Sequence, residues 1–366
     1  MASELSAAPA PIRPDAVLAR RGGAVELLWI PAAVFLAASE LRRRLYDARV
    51  LRSGHVDAPV VCLGNLTAGG TGKSPFALWL ARWFQARGLR PGLLSRGYRA
   101  ARGGVGDETR MLAARLVDVL HVEDPDRLRG ARALVERGVD VVLLDDGFQH
   151  RRLARDLDFV LIDATRPFGL PWDAQGRAPA APLPRGLLRE RPAALARANA
   201  IVVTRSDQVD PARLRALLER LEREAPGVPI AEAVHRPVAL LRADGARLDL
   251  ARLRGESIDL VSGIGNPDAF ENTVRTLGAR VSEHRRFPDH HAYGSGDLAG
   301  LGAGGRMLVT THKDAVKLAQ HGQHTLVLEV DFELRAGRAA IEALLEALAP
   351  ARARVERAAI HTGLHG

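Results

Sequence analysis

Apolar residues in this chain gather into short runs, each followed by glycines and polar residues and then by a stretch with apolar positions three and four apart. The first run, Val60 to Leu63, leads through Gly64 into a glycine-rich segment ending at Ser74. Beyond it Phe76, Leu80, Trp83 and Phe84 repeat at helical spacing as far as Gly88, a residue suited to capping a helix. Further runs end at Ser95, Leu144, Ile162, Val203, Val261 and Val330. Strands without a polar side, alternating with amphipathic helices, predict a mostly parallel sheet covered by helices, an α/β fold.

Two of these runs carry chemistry at their carboxyl ends. Thr67, Ala68, Gly69, Gly70, Thr71, Gly72, Lys73 and Ser74 form a phosphate loop between a strand and a helix, although Thr67 stands where the general pattern has glycine. Glycines let backbone N-H groups converge on phosphate oxygens, and the helix that follows adds the positive end of its dipole. Lys73 is expected on the β and γ phosphates of a nucleotide and the Ser74 hydroxyl on Mg²⁺. The run from Val139 to Leu144 ends in Asp145-Asp146-Gly147-Phe148-Gln149-His150, the acidic second half of a phosphate-loop NTPase. Ser95-Arg96-Gly97-Tyr98 closes another strand, and Gly106-Asp107-Glu108-Thr109 opens a helix through Leu116, with Asp107 either its N-cap or a site residue.

Around 227–247 the alternation is interrupted, and a second, smaller α/β unit starts at Ile258 with Ser262-Gly263-Ile264-Gly265-Asn266-Pro267 at its first strand end. The expected layout is a disordered tail over 1–23, a membrane-associating segment over 24–45, a phosphate-loop kinase domain over 46–234, the second unit over 235–350 and a tail over 351–366. Ala24 to Ser39 is strongly apolar but short, holds Glu26 and Pro31, and runs into Arg42, Arg43 and Arg44. It reads as an amphipathic helix lying in an anionic membrane surface rather than spanning it, or as a core helix.

The 366 residues carry a net charge of +9, with a pI near 10.7, which favours anionic partners. Aromatic residues are not interleaved with the basic ones, so nucleic acid is not an expected partner, and no obligate protein partner is indicated. The single cysteine, Cys62, sits in the first apolar run, reads as a buried hydrophobe and rules out an internal disulfide. His290 and His291 are adjacent in an Asp-His-His-Ala-Tyr segment without metal-site spacing. On these residues alone, a kinase acting on a soluble small molecule and a nucleotide-switched binding protein at a membrane both remain open.

The ordered set GNLTAGGTGKSP, LSRGY, GDE, DDGFQH, GIGNP, FPDHHAY and KDAVK resembles the tetraacyldisaccharide 4'-kinase family, the lipid A 4'-kinases of Gram-negative bacteria. The resemblance spans about residues 24 to 330 and accounts for Thr67, which is usual in that family. It implies transfer of the ATP γ-phosphoryl to the 4'-hydroxyl of a tetraacylated glucosamine disaccharide 1-phosphate, at the cytoplasmic face of the inner membrane. It implies two α/β/α units joined by a short β linker. It further implies Asp107 as catalytic base supported by His290, the segment Thr67 to Ser74 as the ATP site, and Ser74, Asp145, Asp146, Gln149 and Glu190 on the metal side. Arg99, the sequence LPRGLLRER around Glu190, and His312 depart from the family pattern.

Overall fold

The unbroken apolar run before the glycine loop becomes a strand, β1 below, all six residues of which are buried. Val61 and Leu63 enter one core and Val60 and Cys62 another on the opposite face, as a sheet covered on both sides requires. The computed structural model describes residues 17–19, 22–97, 106–289, 291–319 and 325–348, without the side chains of Asp107, Glu108 and Ser295. Nearly all of the tails expected at 1–23 and 351–366, together with Tyr98, Arg99 and His290, lies outside the described residues.

The chain enters through α1 (Trp29–Asp47). The first half follows as β1 (Val60–Asn65), α2 (Lys73–Gln85), β2 (Pro91–Ser95), α3 (Asp107–Ala113), β3 (Leu120–Glu123), α4 (Arg127–Glu136), β4 (Val141–Asp145), β5 (Leu157–Asp163), β6 (Ala200–Thr204) and α5 (Pro211–Glu224). The second half comprises β7 (Ile230–Leu241), β8 (Arg247–Leu248), β9 (Ser257–Ser262), α6 (Pro267–Thr276), β10 (Arg280–Arg286), β11 (Met307–Thr310), α7 (His312–Leu318), β12 (Thr325–Ala336) and α8 (Arg338–Leu348). One sheet runs through both halves in the order β10-β9-β11-β12-β7-β6-β5-β1-β4-β2-β3, with β8 paired to β7. Neighbours are parallel except at β7, which pairs antiparallel with both β12 and β8.

That long antiparallel pair is where the structure departs most from the sequence pattern. The stretch that read as an interruption is the twelve-residue β7, and β12 runs well past the expected Leu326 to Val330. Its charged residues alternate outward and pair across strands, Arg236 with Glu333 at 2.9 Å and Arg247 with Glu329 at 2.6 Å. Inward, Phe332 and Leu334 join Ile341 and Leu345 of α8 in the core that holds Phe76 and Val61. The last strand and helix therefore return to the first core, although the expected second unit included them. Phe76 packs edge-on against Phe159 at 5.5 Å and tilted against Phe332 at 5.0 Å, so one side chain of α2 ties β5 to β12.

Pro31 falls in the first turn of α1, where a missing N-H costs little. The helical stretch Gly23–Asp47 is long and apolar enough to cross a membrane by length and composition, with mean hydropathy 1.6 over its most apolar 18 residues. Its far end is tied to the body: the Ser39 hydroxyl donates to the Arg189 carbonyl at 3.3 Å, and Arg151 pairs with Asp47 at 2.6 Å. Nearer its start, Leu27, Ile30 and Val34 are about two-thirds exposed, at 69%, 71% and 67%.

Candidate active site

Beyond β1 the chain turns on Gly69 (φ 124°) and Gly72 (φ 87°), conformations that side chains resist. Gly72 is also the residue before α2, and a Cβ on it would lie 2.7 Å from the His235 ring. The loop carbonyls are held from below. Asn65 Nδ2 donates to the carbonyls of Thr67 at 2.9 Å and Gly69 at 3.3 Å, and Gln149 Nε2 donates to the Asn65 carbonyl at 2.9 Å. Occupying these acceptors lowers the repulsion an incoming anion would meet, while the first N-H groups of α2 lack intrahelical partners. Thr67 is buried and bridges to Leu188, and Ala68 donates its N-H to the Leu187 carbonyl at 2.8 Å. The threonine therefore serves packing where glycine would serve freedom.

Acidic and basic groups meet at the end of β4. Asp146 adopts φ 51°, a left-handed conformation uncommon for a residue with a side chain and a form of strain often stored at functional positions. Arg189 grips it with two bonds of 2.8 Å, and Lys73 Nζ approaches Asp146 Oδ1 to 3.3 Å. Burial works against ionisation of Asp146, but Lys73 and Arg189 outweigh it and hold the carboxyl well below the usual carboxylate range. The same guanidinium donates to the Thr67 carbonyl through Nε at 3.2 Å and Nη2 at 2.9 Å, and to Asn65 Oδ1. Arg189 thus welds the acidic corner to the glycine loop.

The facing wall comes from the second half. A Cβ on Gly265 would lie 2.2 Å from the Gly70 nitrogen, so the Gly263-to-Pro267 turn rests directly on the glycine loop. Asn266 caps α6 through Ala269 N-H at 3.1 Å and reaches back to Asp163 at 2.7 Å and Thr165 at 2.9 Å. Helix α7 pins the neighbouring loop: Lys313 pairs with Asp289 at 2.6 Å, the Tyr293 hydroxyl donates to Asp314 at 2.9 Å, and Lys317 donates to the His291 carbonyl at 3.2 Å. His312 also lines the cleft, and burial, with Arg115 nearby, pushes it down to about 4, so it is neutral at pH 7. The cleft has a volume of about 660 Å³, within the range of small-ligand sites.

Ala68 through Ser74, Asp145 and Asp146 all line this cleft, and Gln149 supports it from beneath. Asp107 is the first residue of α3 after the N-cap Gly106, at the cleft edge where Gly106 and Thr109 stand, but its side chain is outside the described residues. Glu123 fixes that helix start by accepting from the Gly106 N-H at 3.0 Å and from the Thr109 hydroxyl. Glu190 is not brought to the cleft. It pairs with Arg197 at 2.9 Å in a separate cavity of about 390 Å³ beneath α1, because the chain bends at Arg189 and Glu190 and turns the two side chains to different sides. Its neighbour Arg189 enters instead, a role that sequence reading missed. His291 pairs with Asp297 at 2.8 Å and stacks on Phe287, and among the described residues no group of three or more His, Cys, Asp or Glu could hold a metal ion.

The sequence profile of LpxK, tetraacyldisaccharide-1-P 4'-kinase, matches residues 24–349. The chain belongs to this family. A tetraacyldisaccharide 4'-kinase of Anaeromyxobacter dehalogenans is 42% identical over 348 residues, covering 87% of this chain and 89% of that protein. One from Syntrophus aciditrophicus is 38% identical over 316 residues, covering 76% and 80%. Among solved structures, the LpxK of Aquifex aeolicus in complex with ATP is similar at 27% identity with a TM-score of 0.69, covering 89% of this chain and 99% of that one. The LpxK fold accordingly accounts for the mixed twelve-stranded sheet and for its cleft at the carboxyl end of β1. Gly265→Ala is expected to push the facing wall off the glycine loop and weaken ATP binding about ten-fold, the scale of an overpacked contact. Calorimetric titration of the folded variant checks this.

Proposed function

We propose that this chain transfers the γ-phosphoryl group of ATP to the 4'-hydroxyl of a tetraacylated, 1-phosphorylated glucosamine disaccharide in lipid A biosynthesis. The observation that carries the reading is Lys73, at the end of a glycine loop, paired with the strand-end Asp146 in a cleft walled by both halves of an LpxK-family chain. Lys73 leaves Asp146 for the phosphates when the triphosphate arrives, and Arg189 keeps Asp146 ionised and in place. Asp107 takes the proton of the 4'-hydroxyl as its oxygen bonds to phosphorus, and the bond from phosphorus to the β-bridging oxygen breaks with its electron pair leaving on ADP. His290 supports Asp107 in that role.

The donors fit Mg²⁺. The Ser74 hydroxyl, Asp145 and Asp146 supply oxygen ligands on one side of the cleft, and Mg²⁺ characteristically uses one or two carboxylates together with substrate phosphates. Bound there, the ion would neutralise charge developing on the phosphates. Glu190, paired with Arg197 elsewhere, is left out of this set.

The lipid acceptor and the exposed start of α1 agree in kind. Leu27, Ile30, Val34 and Phe35 offer apolar surface, while Arg42 and Arg44 lie further along the same helix, near its docked end. This arrangement supports a helix held against the body and seated in the cytoplasmic leaflet of the inner membrane.

Asp107→Asn is expected to lower kcat by at least about a hundred-fold, the scale of general-base catalysis, with ATP affinity near wild type. The assay uses purified protein, ATP, Mg²⁺ and the tetraacyldisaccharide 1-phosphate; equal loss of ATP binding would make Asp107 structural. The pair Ile30→Asp and Val34→Asp is expected to abolish co-sedimentation with vesicles containing anionic phospholipid while leaving ATP affinity unchanged. Sedimentation equal to wild type would remove α1 as the membrane contact.

A further inference from the structure

A triphosphate on the glycine loop has a direction set by the charged groups around it. Lys73 points toward Asp146 at the end of β4, so the γ-phosphate end lies on that side of β1. The base must then lie on the other side, over β5 and β6. Strands stand about 4.8 Å apart, which puts the end of β6 roughly 10 Å from β1, within the reach of a nucleotide. β6 ends at Thr204, whose hydroxyl donates to the Thr71 carbonyl at 2.9 Å and so ties the start of the loop after β6 to the glycine loop.

This loop carries Gln208, which lines the cleft beside Thr273 and Phe270 of α6. Gln208 Nε2 donates to Thr273 Oγ1 at 2.9 Å, and the Thr273 hydroxyl donates to the Ala269 carbonyl at 2.9 Å. Because the threonine proton is spent on Ala269, its oxygen can receive but not give, and the glutamine must present its amino group to it. The chain of donors therefore fixes which end of the amide is which. Its other end, Gln208 Oε1, is a buried acceptor with no hydrogen-bond partner. A buried acceptor left unpaired is costly, and here it sits on the wall where the base belongs.

We infer that Gln208 is the residue that reads the purine base, its Oε1 accepting a hydrogen bond from the 6-amino group of adenine after a small turn of the side chain. Guanine and hypoxanthine present a carbonyl oxygen at that position, and two acceptors facing each other repel, so the same atom rejects them. Thr273 is the positioning residue, since it holds the amide with its oxygen toward the base. This assignment rests on the ATP reading of the glycine loop given above.

The test measures dissociation constants by calorimetry for ATP, ITP and purine riboside triphosphate, which lacks the 6-amino group, on wild type, Gln208→Ala and Thr273→Val. Wild type is expected to bind ATP about three- to ten-fold more tightly than purine riboside triphosphate, the worth of one net hydrogen bond. In Gln208→Ala that ratio should fall to near one, through loss of ATP affinity. In Thr273→Val the amide is free to rotate its amino group toward the base, and the preference for ATP over ITP should narrow through a gain in ITP binding. Each protein is its own reference, and Thr273→Val decides the matter if Gln208→Ala does not fold. Ratios in the variants equal to those of wild type would overturn the role of Gln208 with the ATP site intact. Failure of wild type to bind any of the three triphosphates would instead overturn the reading of the loop itself.

Discussion

The charge balance among Lys73, Asp146 and Arg189 is the constraint from which the rest of the site follows. A glycine loop proposed to receive a triphosphate concentrates positive potential, which calls for a counter-charge when no ligand is bound. Asp146 absorbs it, with two bonds of 2.8 Å to Arg189 and Lys73 at 3.3 Å. The division of labour is geometric: the planar guanidinium is fixed by three further loop and strand-end contacts, while the flexible ammonium makes one long contact it can give up. Left-handed Asp146 and Arg205 flank the cleft on opposite sides, and such backbone strain persists where surrounding bonds over-determine it.

A second constraint is that one sheet must serve both halves. If the halves were separate bodies, the approach of Gly265 to Gly70 would depend on a linker. Here β7 and β12 run through the junction as an antiparallel pair, α8 returns to the first core, and Phe76 touches both β5 and β12. The facing wall is therefore positioned by packing as well as by the loop contacts of Asn266 with Asp163 and Thr165.

What the sequence revealed was local. That the glycine loop, Asp145 and Asp146 line one cleft is legible because each stands at the end of an apolar strand, and a strand end in a helix-covered sheet has one place to point, whereas Gln149, expected on the metal side, holds the Asn65 carbonyl from beneath. Cys62 read as core and is buried. What it concealed depends on tertiary pairing. Of the neighbours Arg189 and Glu190, a bent irregular segment sends one to each side, and composition does not say which. The twelve-residue β7 was hidden because its exposed positions carry charge and its partner β12 lies far along the chain. Glu123, which holds the start of α3, and Gln208 have no local signal at all, since their partners are brought to them by the fold.

The most direct measurement of the central claim is the affinity of Lys73→Ala for ATP, by calorimetry on protein whose folding matches wild type. Losing a charge-assisted contact to phosphate predicts at least about a ten-fold weaker dissociation constant. An affinity equal to that of wild type would contradict the claim that this loop grips the triphosphate.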